Sequence, residues 1–217
     1  MTRNSFDLKL QLLHQDLLNM SNKVEDQIKG SIVALKEKSM EMALQIIDTD
    51  NLIDKYEREI EEKCVKLIAV EQPMAVDLRR IFVTSQIVTD LERMGDHAVD
   101  IAKLAIELRN EEYMAELINI PKMAEVVSDM LKKSIEVYIT KNIQLAHDVC
   151  AMDDQVDEYY DNIFGKVIEA MTNNKEMVYQ GSRFLFVCKY LERIADHVTN
   201  VCEQTLYLET GERLKLN

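Results

Sequence analysis

The stretch LERMGDHAVDIAK, Leu91–Lys103, returns one hundred positions later as LERIADHVTNVCE, Leu191–Glu203. Each copy places one acid a helical turn ahead of another, Glu92 before Asp96 and Glu192 before Asp196, and the first copy adds Asp100. Like charges at i,i+4 destabilise a helix by roughly 0.2–0.5 kcal/mol per pair, so the chain carries the same local cost twice in the same register. On a helical wheel with Leu91 at the centre, Ile87, Met94, Ala98, Ile101 and Ala105 fall to one side. Val88, Gly95, Val99 and Ala102 fall to the other, and together they form one wide apolar arc. Glu92, Asp96 and Asp100 follow one another from the rim of that arc toward solvent.

The echo extends upstream. DNLIDKYEREI, Asp50–Ile60, matches DDQVDEYYDNI, Asp153–Ile163, at an offset of 103, pairing Asp50 with Asp153, Ile53 with Val156, Asp54 with Asp157 and Ile60 with Ile163. Ile46, Ile53, Ile60 and Leu67 repeat every seven residues as a core stripe, and Asp50, Asp54, Glu57 and Glu61 share the adjacent face. These matches indicate a tandem duplication with halves at 1–110 and 111–217. Five Gly, two Pro and sustained apolar spacing at the helical period point to an all-α chain. The spacing predicts helices over 4–36, 38–70 and 73–109, then 113–140, 142–172 and 176–209, packed as two antiparallel three-helix bundles. Pro73 and Pro121 suit first turns, where a missing N–H leaves no bond unmade. The polar Asp48–Asn51 predicts a bend or a break in the second helix.

A net charge of −13 and a pI near 4.8 exclude non-specific nucleic-acid binding, which relies on clustered Lys and Arg. No apolar run of membrane-spanning length and no signal-peptide core are present, so a soluble, cytoplasmic protein without direct membrane insertion is expected. Cys64, Cys150, Cys188 and Cys202 form no CxxC pair and read as small buried hydrophobes in a reducing compartment. Cys188 and Cys202, nearly four turns apart, fall near one helical face.

Two readings of the acidic stripe stand open. Arg93 before Asp96 and Lys103 after Asp100 supply the counter-charges of an ordinary solvated face. Alternatively, carboxylates from the 50s and 90s helices converge as oxygen ligands for hard cations such as Mg²⁺, Ca²⁺ or Mn²⁺, with iron or zinc also able to use them. The second half is poorer: Asn200 replaces Asp100, and Tyr160 and Phe164 replace Glu57 and Glu61, so fewer or looser ions are expected there. His97 and His197 face a helix–helix seam. None of the four histidines is preceded by Glu at i−3, and no HExxH motif or glycine-rich phosphate loop occurs. A carboxylate-bridged di-metal enzyme is therefore disfavoured, and a structural helical scaffold remains the other rival.

The two LERxxDH copies, together with EQPMAVDLRRI at Glu71–Ile81, resemble the PhoU family over nearly the whole chain. The resemblance implies two tandem three-helix repeats, each with an (E/D)xxxD motif and a multinuclear metal site. The first site would use Asp50, Asp54, Glu92, Asp96 and Asp100, with Glu57 as an additional ligand. The second would use Asp153, Asp157, Glu192 and Asp196. The metals implied are divalent or trivalent ions: iron, zinc, manganese or magnesium. Also implied are a non-enzymatic, homodimeric adaptor, contacts with the ATPase of the phosphate ABC transporter and/or a sensor histidine kinase, and negative regulation of phosphate uptake and starvation signalling. Arg79 of the DLR element corresponds to Tyr179 in the second half, with Arg183 one turn away, so its role is expected not to be duplicated.

Overall fold

A computed structural model describes residues 3–113 and 119–213. Among them run seven helical segments and no strand: α1 (Arg3–Glu37), α2 (Met40–Glu71), α3 (Ala75–Leu108), α4 (Ile120–Thr140), α5 (Ile143–Ala151), α6 (Asp153–Asn173) and α7 (Met177–Thr210). Local chemistry sets the boundaries. Ser39 caps α2 by accepting from the Met42 N–H, and Asn142 caps α5 by accepting from the Leu145 N–H. Gln72 and Lys141 close α2 and α4 in the left-handed conformation, each N–H reaching back four residues. Pro121 lies in the first turn of α4 as the sequence predicts, whereas Pro73 stands ahead of α3 rather than in its first turn. The start of the expected 113–140 helix, at 114–118, lies outside the described residues.

The expected break occurs in the other half. α2 passes through Asp48–Asn51 without interruption, because Thr49 Oγ1 donates to the Ile46 carbonyl at 2.8 Å and accepts from Gln27 Nε2 at 3.4 Å. The polar side chain is satisfied there without freeing the backbone. The expected 142–172 helix instead divides into α5 and α6 at Met152, whose N–H bonds the Val149 carbonyl three residues back. Met152 is the counterpart of Thr49 at the 103 offset, so the register of the break was readable and its half was not.

α1, α2 and α3 form one bundle, and α4, α5/α6 and α7 form the other; α3 lies along α7 and α1 against α4 to join them. Every residue of the predicted α3 arc is buried. Gly95 permits a close approach at that point: a Cβ there would stand 3.0 Å from Gln27 Oε1 of α1 and 3.5 Å from Ile53 of α2. α3 and α7 are antiparallel. Arg79, near the start of α3, reaches the Tyr207 and Leu208 carbonyls at the end of α7, at 3.5 and 3.4 Å. Arg183, near the start of α7, pairs with Glu107 near the end of α3 at 3.2 Å and lies over the Tyr179 ring. Each long helix thus sends an arginine to the end of the other, but through different partners, terminal carbonyls for Arg79 and the Glu107 carboxylate for Arg183. Among the described residues no helix is long and apolar enough to cross a membrane.

Candidate functional site

In the first half, α2 and α3 pack as neighbours and bring six carboxylates, Asp50, Asp54, Glu57, Glu61, Glu92 and Asp96, into one electrostatic field. Glu92 is only 14% exposed. Its Oε2 is buried and receives no hydrogen bond, with Arg93 Nε 3.4 Å away. Burial, followed by the charges of Asp96, Glu57 and Asp54, pushes the Glu92 carboxyl up to about 7 against the pull of Arg93. Burial and the charges of Asp96 and Asp54 likewise raise Asp50, opposed by Lys103 and a hydrogen bond from Gln27. Glu57 is raised by burial and by Glu61, Asp54 and Asp96. The counter-charges of the solvated reading are also present: Arg93 holds Asp96 and Lys103 holds Asp100, each at 2.9 Å. Asp100 marks the margin of the cluster, its charge acting on His97 and Tyr190.

The second half differs. Asp153, Asp157, Glu192 and Asp196 line an open cleft of about 600 Å³, joined by His147, Cys150 and Asp154. Glu192 Oε2 is again buried without a well-aligned hydrogen bond, although Lys189 Nζ stands 2.5 Å away. Asp157 is raised by burial and by Glu192, Asp161 and Asp154. Asp196 is raised by burial and Glu192, opposed by Arg193, Lys189 and His197. Where the first half carries Glu57 and Glu61, Tyr160 and Phe164 stack at 5.9 Å, with Lys189 5.7 Å from the Tyr160 ring.

Sequence reasoning missed His147, Cys150, Asp154 and Gln27. A signal for the first three existed: residues 147, 150, 153/154 and 157 follow a 3-3-4 spacing along one helical face. Gln27 gave none, because it reaches the site from α1. As they stand, no three His, Cys, Asp or Glu side chains among the described residues form a ready-made metal shell. The donors themselves, all oxygen in the first half and each set including a buried carboxylate oxygen without a hydrogen bond, have the chemistry of a cation site.

His97 and His197 occupy the α3–α7 seam. His197 Nδ1 meets Asp90 Oδ1 at 2.9 Å, and that oxygen also accepts from Asn200 at 3.2 Å. His97 stacks on Tyr190, with ring centroids 5.6 Å apart, and lies 5.9 Å from His197. All four cysteines are free and buried. Cys202 of α7 bonds not with Cys188, its neighbour by helical face, but with Cys150 of α5. That hydrogen bond lowers the Cys150 thiol against burial and the charges of Glu203 and Asp153, and together with burial it raises Cys202.

The family model for the PhoU domain matches twice, at residues 17–105 and 120–205. A phosphate-specific transport system accessory protein PhoU homolog of Clostridium acetobutylicum is 47% identical over 218 residues, spanning the full length of both chains. Its counterpart in Streptococcus pneumoniae is 33% identical over 99% of this chain and all of that one. The crystal structure of the phosphate transport system regulatory protein PhoU from S. pneumoniae superposes with a TM-score of 0.91 at 32% identity, covering 97% of this chain and 99% of that one. PhoU from Pseudomonas aeruginosa superposes at 0.92 and 30%, covering 95% and 100%.

Proposed function

The chain belongs to the PhoU family, and from that premise we propose that it is an accessory regulator of phosphate transport. In this reading it is a metal-binding adaptor that restrains high-affinity phosphate uptake and phosphate-starvation signalling when phosphate is plentiful. It acts in the cytoplasm as a homodimer and docks on the ATPase of the phosphate ABC transporter, on a sensor histidine kinase, or on both. The observation that carries the phosphate assignment is the 47% identity, end to end, with the C. acetobutylicum accessory protein.

The metal reading is supported by the mutual destabilisation of the acids. Asp50, Asp54, Glu57, Glu92, Asp96 and Asp100 would hold ions in the first half, and Asp153, Asp157, Glu192 and Asp196 in the second. A bound cation would exchange carboxylate repulsion for attraction and bridge neighbouring helices. The chain's own part is to hold the acids at the rim of a rigid core. For Glu92 in particular, burial raises the free energy of the metal-free charged form. The surplus of negative charge favours partners with basic surfaces, so complex formation weakens with salt.

Deletion of the gene, with phosphate uptake and starvation-gene expression followed in phosphate-rich medium, tests the regulatory reading. Both rise if it holds, and no change in either overturns it. Capture of a transporter ATPase or a sensor kinase by the tagged protein tests the adaptor reading, whereas self-association alone returns the protein to a scaffold.

A further inference from the structure

The acidic stripes of both halves continue, toward the turn that joins their two helices, as exposed apolar side chains. On α2 the line of Asp50, Asp54, Glu57 and Glu61 runs on into Val65 and Ile68. On α3 the line of Glu92 and Asp96 runs back into Leu78 and Phe82. The two pairs stand at the same level of neighbouring helices, a few residues either side of the turn at Gln72–Met74, and are 40–66% exposed. In the second half Phe164 and Ile168 follow Asp153 and Asp157 on α6, while Val178 and Phe186 precede Glu192 and Asp196 on α7, at 40–57% exposure. The register repeats: Val65 matches Ile168 at the 103 offset, and Leu78 matches Val178 at the 100 offset. Packing demands no apolar side chain at positions so exposed, and contiguous apolar surface of this kind marks an interaction site.

α3 packs along α7 and α1 against α4, so both junctions pair equivalent helices and an approximate two-fold axis runs through them. That axis maps the face opposite α1 and α4 onto itself, passing between the rings of His97 and His197, 5.9 Å apart. Leu78 and Val178 each stand 19 positions before the seam histidine of their own helix. At about 1.5 Å per residue the patches lie about 30 Å from the axis on opposite sides, about 60 Å apart. We propose that the two patches form one bivalent docking surface for a two-fold symmetric protein, each patch seating the same segment of one of its two subunits. The proposal rests on the adaptor reading and names as occupant the pair of ATPase subunits of one transporter, each presenting an apolar segment flanked by Lys or Arg. Two equivalent patches call for two equal subunits, and the acids bordering each patch call for basic neighbours. A second copy of this chain meets the symmetry but not the charge, because each copy carries −13 and would set acids against acids. A chain seated on both subunits holds them at one separation, which gives the restraint of uptake a mechanical form.

The test titrates the full chain into the intact, detergent-solubilised phosphate transporter, reading affinity by fluorescence and stoichiometry by native mass spectrometry. Wild type should saturate at one chain per ATPase pair. Val65→Ser/Leu78→Ser removes the first patch and Ile168→Ser/Val178→Ser the second, all at exposed positions, with circular dichroism and melting confirming the fold. Each double variant should bind about a hundredfold more weakly or worse, because one of two linked contacts is lost. Each should also saturate at two chains per pair, since every subunit then seats a chain of its own. The fourfold variant should not bind, and Leu78→Ile should bind as wild type does. Sedimentation of the chain alone should be the same for all variants. Wild-type saturation at two chains per pair, a loss confined to one half, or double variants that bind as wild type each overturn the proposal and leave the adaptor reading standing. Patch substitutions that change the chain's own sedimentation overturn it in favour of a second copy. No binding by wild type overturns both readings together.

Discussion

The two acidic faces are built on one repeated helix pair, yet the first carries more carboxylates and the second sets its own in different surroundings. In the first, an unbroken α2 presents Asp50, Asp54, Glu57 and Glu61 toward Glu92 and Asp96, with Gln27 of α1 reaching in from behind. In the second, the helix breaks at Met152, an aromatic pair takes the place of two acids, and His147 and Cys150 enter the wall of a cleft. The interiors show no such divergence. Ile53 and Val156, Ile60 and Ile163, and Leu91 and Leu191 are all essentially inaccessible. The two halves agree where packing penalises change and differ where it does not, because truncating a buried side chain costs several kcal/mol while a rim substitution costs a few tenths.

The largest effect with which to break this comparison lies in the core. Ile60→Ala and Ile163→Ala should each lower stability by about 2–5 kcal/mol, and by similar amounts, in urea denaturation. If one is several-fold milder than the other, the two cores are not equivalent and the contrast is wrongly drawn at the rims. Next comes metal. In protein purified without chelator or affinity metal, Glu92→Ala/Asp96→Ala should remove more metal per chain by mass spectrometry than Glu192→Ala/Asp196→Ala. Adding metal at a hundredfold excess over its Kd should stabilise wild type by about 2.7 kcal/mol per site of that affinity. Equal losses from the two double variants would make the faces functionally alike, and no metal in any protein after reconstitution would leave two solvated acidic faces. The comparison sharpens further with Tyr160→Glu/Phe164→Glu, which returns the acids of the first half to the second. Metal bound per chain should rise if those side chains set the capacity, and stay unchanged if the Met152 break does.

Most of the fold was legible because helices report themselves through period and punctuation. The apolar arc of α3, the seam position of His97 and His197, and the Arg93–Asp96 and Lys103–Asp100 pairs all follow from spacing within a single helix. What escaped depends on a second element. The polar Asp48–Asn51 points to a break in α2, but Thr49 satisfies itself on the backbone and on Gln27, a partner 22 residues away that no wheel displays. The Cys150–Cys202 contact was missed for the same reason: a helical face predicts Cys188 as the neighbour of Cys202, and only the packing of α5 on α7 brings in Cys150. The acids of the site were legible as a stripe, whereas their separation and counter-charges were properties of rotamers and neighbours.

A smaller effect separates the faces by pH. In metal-free protein, Asp50, Glu57 and Glu92, and Asp157 and Asp196 in the other half, hold their protons more tightly folded than unfolded. The folded state then binds more protons, so the stabilisation these groups provide is complete below their ordinary range and is lost as pH rises through their folded values. For Glu92 that window runs from 4.5 to about 7. Chelated wild type should therefore lose stability across this interval, and Glu92→Gln should flatten the decline more than Asp196→Asn does. Excess metal should also flatten it by favouring the charged form. A profile rising with pH across the same interval in chelator would mean that Arg93 and Lys103 already outweigh the repulsion and that the first face needs no cation.

The smallest expected difference concerns the two arginines that tie α3 to α7. Arg79 meets the terminal carbonyls of α7, where the helix dipole is negative, and stacks 5.4 Å from the Tyr207 ring. Beside it, Gly211 closes the helix at φ 78°, and a Cβ there would meet the guanidinium at 2.8 Å. Arg183 instead pairs with the half-exposed Glu107 and lies over Tyr179. A cation at a helix C-terminus contributes about 0.3–1 kcal/mol, and an exposed ion pair about 0.2–1 kcal/mol, so neither alanine variant should cost much more than about 1 kcal/mol on these terms. They should nevertheless respond differently to salt. The Arg183→Ala deficit should shrink as sodium chloride screens the ion pair with Glu107, while the Arg79→Ala deficit should persist to the extent that carbonyl hydrogen bonds and ring contact carry it. Equal salt sensitivity would show that both arginines act as surface charges and that the carbonyl contacts, long at 3.4–3.5 Å, contribute nothing measurable.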